Sequence, residues 1–167
     1  MNSTTRLIIF IILGYIISST YSHAQNAHLF TTDNGLSNSL INDIIQDKYG
    51  YIWVATEDGL NRFDGVNFKN YKAEELSHGY VHSLYEDRQG TLWIGTLTGL
   101  LTYSRETDTF CRVPIIVKGD TLEAHISDII EDSHGNIWAA STGRGLLLCQ
   151  NNIARDCHEY TGVNEIE

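Results

Sequence analysis

The chemically distinctive residues of this sequence are few. Three cysteines, Cys111, Cys149 and Cys157, carry thiols, and an odd number leaves at least one unpaired in an oxidising compartment. No Cys-x-x-Cys or His-Glu-x-x-His pair occurs, and His78, His82, His125, His134 and His158 have no metal-ligand spacing. There is no Gly-x-Ser-x-Gly and no phosphate-cradling loop. The sequence therefore predicts no catalytic residue, no metal site and no cofactor, and what remains is recognition chemistry. Glu57 and Asp58 can accept hydrogen bonds from sugar hydroxyls. Thr98 stands in the corresponding loop forty residues on. Arg144, set between Gly143 and Gly145, offers a planar fork suited to a uronate or a sulfate. The alternative for each of these residues is ordinary solvated loop charge, since loops are where charge normally sits.

The elements that would position these loops come from an internal repeat. The three tryptophans, Trp53, Trp93 and Trp138, lie 40 and 45 residues apart in matching surroundings. The stretches read DKYGYIWVATEDGL, DRQGTLWIGTLTGL and DSHGNIWAASTGRGL. In each, a run rich in β-branched or aromatic residues ends in Asp (Asp47, Asp87, Asp132), and a glycine follows three positions later (Gly50, Gly90, Gly135). Asp can bond the amide two residues on and Gly can take positive φ, so the pattern predicts a hairpin turn. A second strand carries the Trp, over residues 51–56, 91–96 and 136–142. Gly59, Gly99 and Gly145 then open a third strand, over 60–63, 100–103 and 146–149. A fourth follows over 68–71, 110–113 and 157–160. Four short antiparallel strands per 40–45 residues is the period of a β-propeller blade. The fold class is all-β, with blades over about 38–71, 80–113 and 125–160 inside a partial propeller spanning 25–167. Residues 28–32 are expected to act as a closing strand, and no helical periodicity is present. Three blades cannot close a ring, so the remaining blades, or a second copy, are expected as partners. Asp, Gly and Trp in a repeated slot read as scaffold rather than as a site.

Aligning the repeats also places the cysteines. Cys149 takes the slot of Phe63 and Tyr103, and Cys157 that of Phe68 and Phe110, so the two face each other across one hairpin. Directly opposed residues can reach disulfide distance. The alternative is a pair of small buried hydrophobes.

Before the repeats, residues 7–17 form an apolar run of eleven, and Ser22-His23-Ala24 offers small residues at a cleavage site. Residues 1–24 are read as a secretory signal, with export to the periplasm. The competing transmembrane anchor needs a run of about 20 residues. Without Arg6 the chain keeps 10 basic against 21 acidic residues, a balance of −11. Such a chain is a poor partner for nucleic acid or for anionic membrane surfaces. No direct membrane insertion is expected after cleavage.

The pattern D-x-x-G-x-[IL]-W-[IV]-[GA]-T-x-x-G-L at residues 47–60 and 87–100, together with the GLSN turn at 35–38, resembles the two-component regulator propeller repeat. The third unit departs from it at Ala139, at one inserted residue and at Gly143-Arg144-Gly145. The resemblance implies part of the periplasmic sensor of a hybrid histidine kinase, with an oligosaccharide as ligand and its kinase outside this chain. Two alternatives stand beside it. One is a secreted propeller that docks a protein partner. The other is a propeller enzyme resembling a polysaccharide lyase, for which the family supplies no catalytic group.

Overall fold

The computed structural model describes residues 27–76, 78–117, 120–149 and, as backbone, 157–160. The signal sequence expected over residues 1–24 lies outside them. Unit 1 is a four-stranded antiparallel sheet of β1 (Ile41–Gln46), β2 (Ile52–Thr56), β3 (Gly59–Phe63) and β4 (Phe68–Tyr71), in that order. A single helical turn, α1 (Ala73–Leu76), buries Leu76 and leads into unit 2. That sheet holds β5 (Val81–Glu86), β6 (Leu92–Thr96), β7 (Leu100–Ser104) and β8 (Thr109–Val113). A small hairpin, β9 (Ile115–Val117) and β10 (Asp120–Leu122), precedes unit 3. Unit 3 consists of β11 (His125–Glu131), β12 (Ile137–Thr142), β13 (Gly145–Cys149) and β14 (Cys157–Tyr160), and β9 joins its outer edge by pairing parallel to β14. The first strands β1, β5 and β11 lie side by side. The described residues form no closed ring.

The Asp of each repeat does two jobs. One carboxylate oxygen of Asp47 accepts the Tyr49 and Tyr51 amides at 2.9 and 3.0 Å, which folds the turn, and the other accepts the Trp53 indole Nε1 at 2.7 Å. Asp87 and Trp93 repeat the indole bond at 2.8 Å, and Asp132 and Trp138 at 3.0 Å. A buried indole N–H needs a partner, and the turn supplies it. The turn also requires left-handed backbone at its glycine, where φ is 90°, 84° and 84° at Gly50, Gly90 and Gly135. Each first strand carries a bulge, with one extra residue in its ladder at Asn42, His82 and Ser127.

Two cores hold the units together. Trp53, Leu60 and Tyr71 of unit 1 pack against Leu84, Leu92 and Ile94 of unit 2. Trp93, Leu100 and Val113 of unit 2 pack against Ile126, Ile129 and Leu147 of unit 3. Ladder register sets Cys149 directly opposite Cys157, Cys149 is disulfide-bonded, and Cys111 is free and exposed.

Three details add to the sequence reading. Residues 28–32 pair with no described strand, and the last blade that a closing strand would complete is not among the described residues; Thr32–Asn34 is a 3-10 turn, and Phe30 packs on Phe63 and Phe68 with centroids 5.0 and 5.6 Å apart. Among the described residues the α-helical content is the single turn α1, where the Glu75 carboxylate accepts the Lys72 amide at 3.0 Å. The β9–β10 hairpin occupies a segment read as connector. Its β-branched run Ile115-Ile116-Val117 pairs with 120–122.

Candidate functional site

The loops between second and third strands and the segments entering the first strands meet at one end of the sheets. Pairings Ile41 with Thr56, Val81 with Thr96 and His125 with Thr142 put them there. Backbone bonds tie the two sets: the Glu57 amide donates to the Leu40 carbonyl and the Leu97 amide to the Tyr80 carbonyl, each at 3.3 Å. Further along unit 1, the GLSN turn buries Leu36. The Ser37 amide donates to the side chain of buried Asn61 at 2.8 Å, which fixes the approach to β1.

Glu57 and Asp58 are both exposed on the unit 1 loop. The Tyr80 hydroxyl donates to Glu57 Oε1 at 3.4 Å, so this carboxylate leans on the entry to unit 2. Thr98 lies on the unit 2 loop and Arg144 on the unit 3 loop, and both turn toward the segment before β11. Arg112 donates to the Thr98 carbonyl at 2.8 Å and pairs with Glu123 at 3.4 Å, while Arg144 Nε donates to the Glu123 carbonyl at 3.1 Å. The four residues named from sequence thus fall into two groups, Glu57 with Asp58 and Thr98 with Arg144.

Between the groups lies a row of rings that sequence reasoning missed. Tyr80 stacks on His82 at 5.9 Å, and His82 meets His125 edge-on at 5.0 Å. His82 is the bulge residue of β5 and His125 opens β11, so the row crosses from unit 2 to unit 3. His82 Nδ1, His125 Nε2 and Thr98 Oγ1 are buried and make no hydrogen bond within the protein. Burial first, and then the neighbouring His82, holds the His125 imidazole below its ordinary value. The buried ring nitrogen of the neutral His125 can accept or donate one bond, according to tautomer. Among the described residues no group of three or more His, Cys, Asp or Glu could hold a metal ion. The signal available in the sequence was positional: His82 occupies the slot of Asn42, and His125 that of Tyr80.

Comparison with known proteins gives consistent matches. The family model "Two component regulator propeller" matches residues 35–58 and 75–98. The chain is similar to the extracellular domain assigned to the hybrid two component system BT3049 of B. thetaiotaomicron, at 30% identity and a TM-score of 0.64, over 72% of this chain and 18% of that one. The corresponding domain of BT4673 from the same organism matches at 28% identity and a TM-score of 0.61, over 74% and 17%. Histidine kinase P4 of Formosa agariphila is 53% identical over 53 residues, which is 29% of this chain and 4% of that protein. The chain therefore spans less than a fifth of the length of each of these proteins.

Proposed function

We propose that this chain, whose residues 35–58 and 75–98 match the two-component regulator propeller repeat, is a ligand-sensing segment of an extracytoplasmic sensor, exported to the periplasm, with an oligosaccharide fragment as its ligand. The signal would pass to a histidine kinase outside this chain. The likeness to extracellular domains of hybrid two component systems supports the sensor reading. A single observation carries the choice of ligand. The ring row Tyr80–His82–His125 holds buried nitrogens without protein partners at the end of the sheets that carries the two loop groups, Glu57 with Asp58 and Thr98 with Arg144. Flat rings accept the apolar face of a sugar, and polar atoms beside them take its hydroxyls. A buried polar group left unpaired costs roughly 1–3 kcal/mol, so a hydroxyl that completes it gains that much selectivity.

The test is a titration of the chain, followed by NMR, with neutral, uronate-bearing and sulfated oligosaccharides. Shifts should concentrate at Tyr80, His82 and His125. His82→Ala should weaken binding about tenfold, the value of roughly one hydrogen bond. Arg144→Ala should weaken only the anionic sugars. Sugar-induced shifts confined to other surfaces, or affinity indifferent to both substitutions, would sink the proposal.

A further inference from the structure

The loop slot just before the third strand can be read in all three units. It holds Asp58 in unit 1, Thr98 in unit 2 and Arg144 in unit 3, and the position before it holds Glu57, Leu97 and Gly143. This end of the sheets therefore runs from acidic at unit 1 to basic at unit 3. The ring row Tyr80–His82–His125 lies between: the Tyr80 hydroxyl meets Glu57 at 3.4 Å, and Glu123 stands two positions before His125. Such a gradient orients a ligand that carries charge at one end only.

A second arginine, which the sequence did not single out, reinforces the basic end. Arg112 belongs to β8 and takes the slot of Asn70 in unit 1. Its Nη2 donates to the Thr98 carbonyl at 2.8 Å and to Glu123 Oε1 at 3.4 Å. Its guanidinium lies over Gly99, where a Cβ would stand 3.3 Å from Nη2 and 3.7 Å from Cζ and from Nε. The bare backbone of Gly99 gives the flat group its seat. Arg144 is anchored through Nε, which donates to the Glu123 carbonyl at 3.1 Å. Both arginines thus meet at Glu123, one at its carboxylate and one at its backbone. Among the described residues, neither Nη of Arg144 and neither Nε nor Nη1 of Arg112 meets an acceptor. The Glu123 side chain is 69% exposed, so water screens its hold on Arg112. Two anchored guanidiniums with N–H groups to spare suit an oxyanion, which their planar forks can grip.

We infer that Arg112 and Arg144 form a two-arginine clamp for an oxyanion substituent of the ligand, a uronate carboxylate or a sulfate ester, and that the clamp fixes the ligand's direction. The acid-bearing sugar sits at the unit 3 end and the neutral remainder lies along the ring row. Glu57 and Asp58 accept hydroxyls at the unit 1 end and repel an acid there, which disfavours the reversed orientation. The inference rests on the sugar reading above and adds to it Arg112 and a polarity.

The experiment follows the arginine Nε–H and histidine ring resonances of the full chain by NMR during titration with glucose, glucuronate, glucose 6-sulfate and inorganic sulfate. Glucuronate and glucose 6-sulfate should shift Arg112 and Arg144 together with His82 and His125. The better of the two should bind about tenfold more tightly than glucose, the worth of roughly one charge-assisted bond, and its identity tells a uronate from a sulfate ester. Inorganic sulfate should shift the arginines alone. Arg112→Gln and Arg144→Gln should each bring the acid-to-glucose ratio to about threefold or less without weakening glucose. Lys48→Gln, which removes the same charge at the opposite end of the sheets, should leave the ratio unchanged. Asp58→Asn should tighten the acids about twofold and leave glucose alone. Ring shifts with all three sugars, with both arginines unmoved and the acids no tighter than glucose, overturn the clamp and leave the sugar reading standing. A ratio that falls equally with Lys48→Gln also overturns it, because net charge alone then explains the preference. Arginine shifts with inorganic sulfate and both acids, but no ring shift with any sugar, support the clamp and overturn the sugar reading. No shift with any probe overturns both.

Discussion

The two seams join equivalent faces by different means. The seam between units 1 and 2 is aromatic and densely bonded. Trp53 stacks on Tyr71 at 5.8 Å and meets Tyr103 edge-on at 4.9 Å. The Tyr71 and Tyr103 hydroxyls both donate to Asp108 at 2.6 Å, Lys69 pairs with the same carboxylate, and Arg62 donates to the Tyr103 hydroxyl at 2.7 Å. Arg105 reaches from unit 2 to Asp47 of unit 1 at 2.9 Å. The seam between units 2 and 3 is aliphatic around Trp93, and at it His82 Nδ1, Ser83 Oγ, His125 Nε2 and Glu131 Oε1 have no partner in the protein. The slot of Asp43 and Ser83 shows the contrast at one position: Asp43 bonds the next unit, and Ser83 does not. The first seam is fixed by directional bonds. The second has the Arg88 bonds to Glu131 and Ser133 beside its aliphatic core and leaves four buried polar atoms without a partner in the protein.

The largest effect that separates covered from uncovered faces is at tryptophan. Trp53→Ala removes a ring that is 0% exposed and leaves Asp47 without its indole partner. It should cost about 3–5 kcal/mol in urea unfolding. Trp138→Ala, on the half-buried face of unit 3, should cost about half as much or less, because less area leaves contact. Equal losses would show that coverage by the next unit does not govern the value of this slot.

A smaller difference should separate the seams by their polar bonds. Burial works against the charge of Asp108, yet hydrogen bonds from Lys69, Tyr103 and Tyr71 outweigh it and hold the carboxyl well below the usual range. Asp108→Asn keeps the shape and loses the charge, so it should destabilise by about 1–2 kcal/mol. Ser83→Ala at the other seam deletes an oxygen that bonds nothing and should stay within about 0.5 kcal/mol. A cost at Ser83 matching that at Asp108 would erase the distinction.

The contrast also explains what could be read from the sequence. The second, third and fourth strands of each unit were legible to within one residue, because β-branched runs bounded by Asp-x-x-Gly are local signals, whereas β9 and β10 were not. The opposition of Cys149 and Cys157 followed from slot alignment alone. The Asp108 hub and the reach of Arg105 to Asp47 were not legible. Their partners lie 37 and 58 residues away and meet only through the packing of one sheet on another. The ring row was hidden for the same reason: His82 and His125 have no metal-ligand spacing along the chain, and their relation runs across two units. Residues 28–32 have strand composition, but no ladder partner for them lies among the described residues. The loops of Glu57 with Asp58 and of Thr98 with Arg144 share one end of the sheets, and their division into two groups was not foreseen.

The smallest expected effect is a difference in the pH at which each seam weakens. The folded chain keeps His125 neutral, below its ordinary value, while the unfolded chain takes up a proton near pH 6.5. Between those two values the unfolded state binds more protons. Stability should therefore fall as pH drops through about 6.5 and level off below the folded value. Asp47 and Asp108 behave otherwise. Burial opposes their ionisation, but bonds from Trp53 and Arg105 at Asp47, and from Lys69 and the two tyrosines at Asp108, depress both. Their contribution is whole above about pH 3.9, the unfolded value, and is lost only as pH falls from there through the folded value. The second seam should thus soften first. Thermal unfolding between pH 7.5 and 5.5 should show a decline that His125→Gln flattens and Asp108→Asn leaves in place. A decline that survives His125→Gln would move the origin of the slope away from this imidazole, and with it the claim that the second seam holds its polar atoms at a cost.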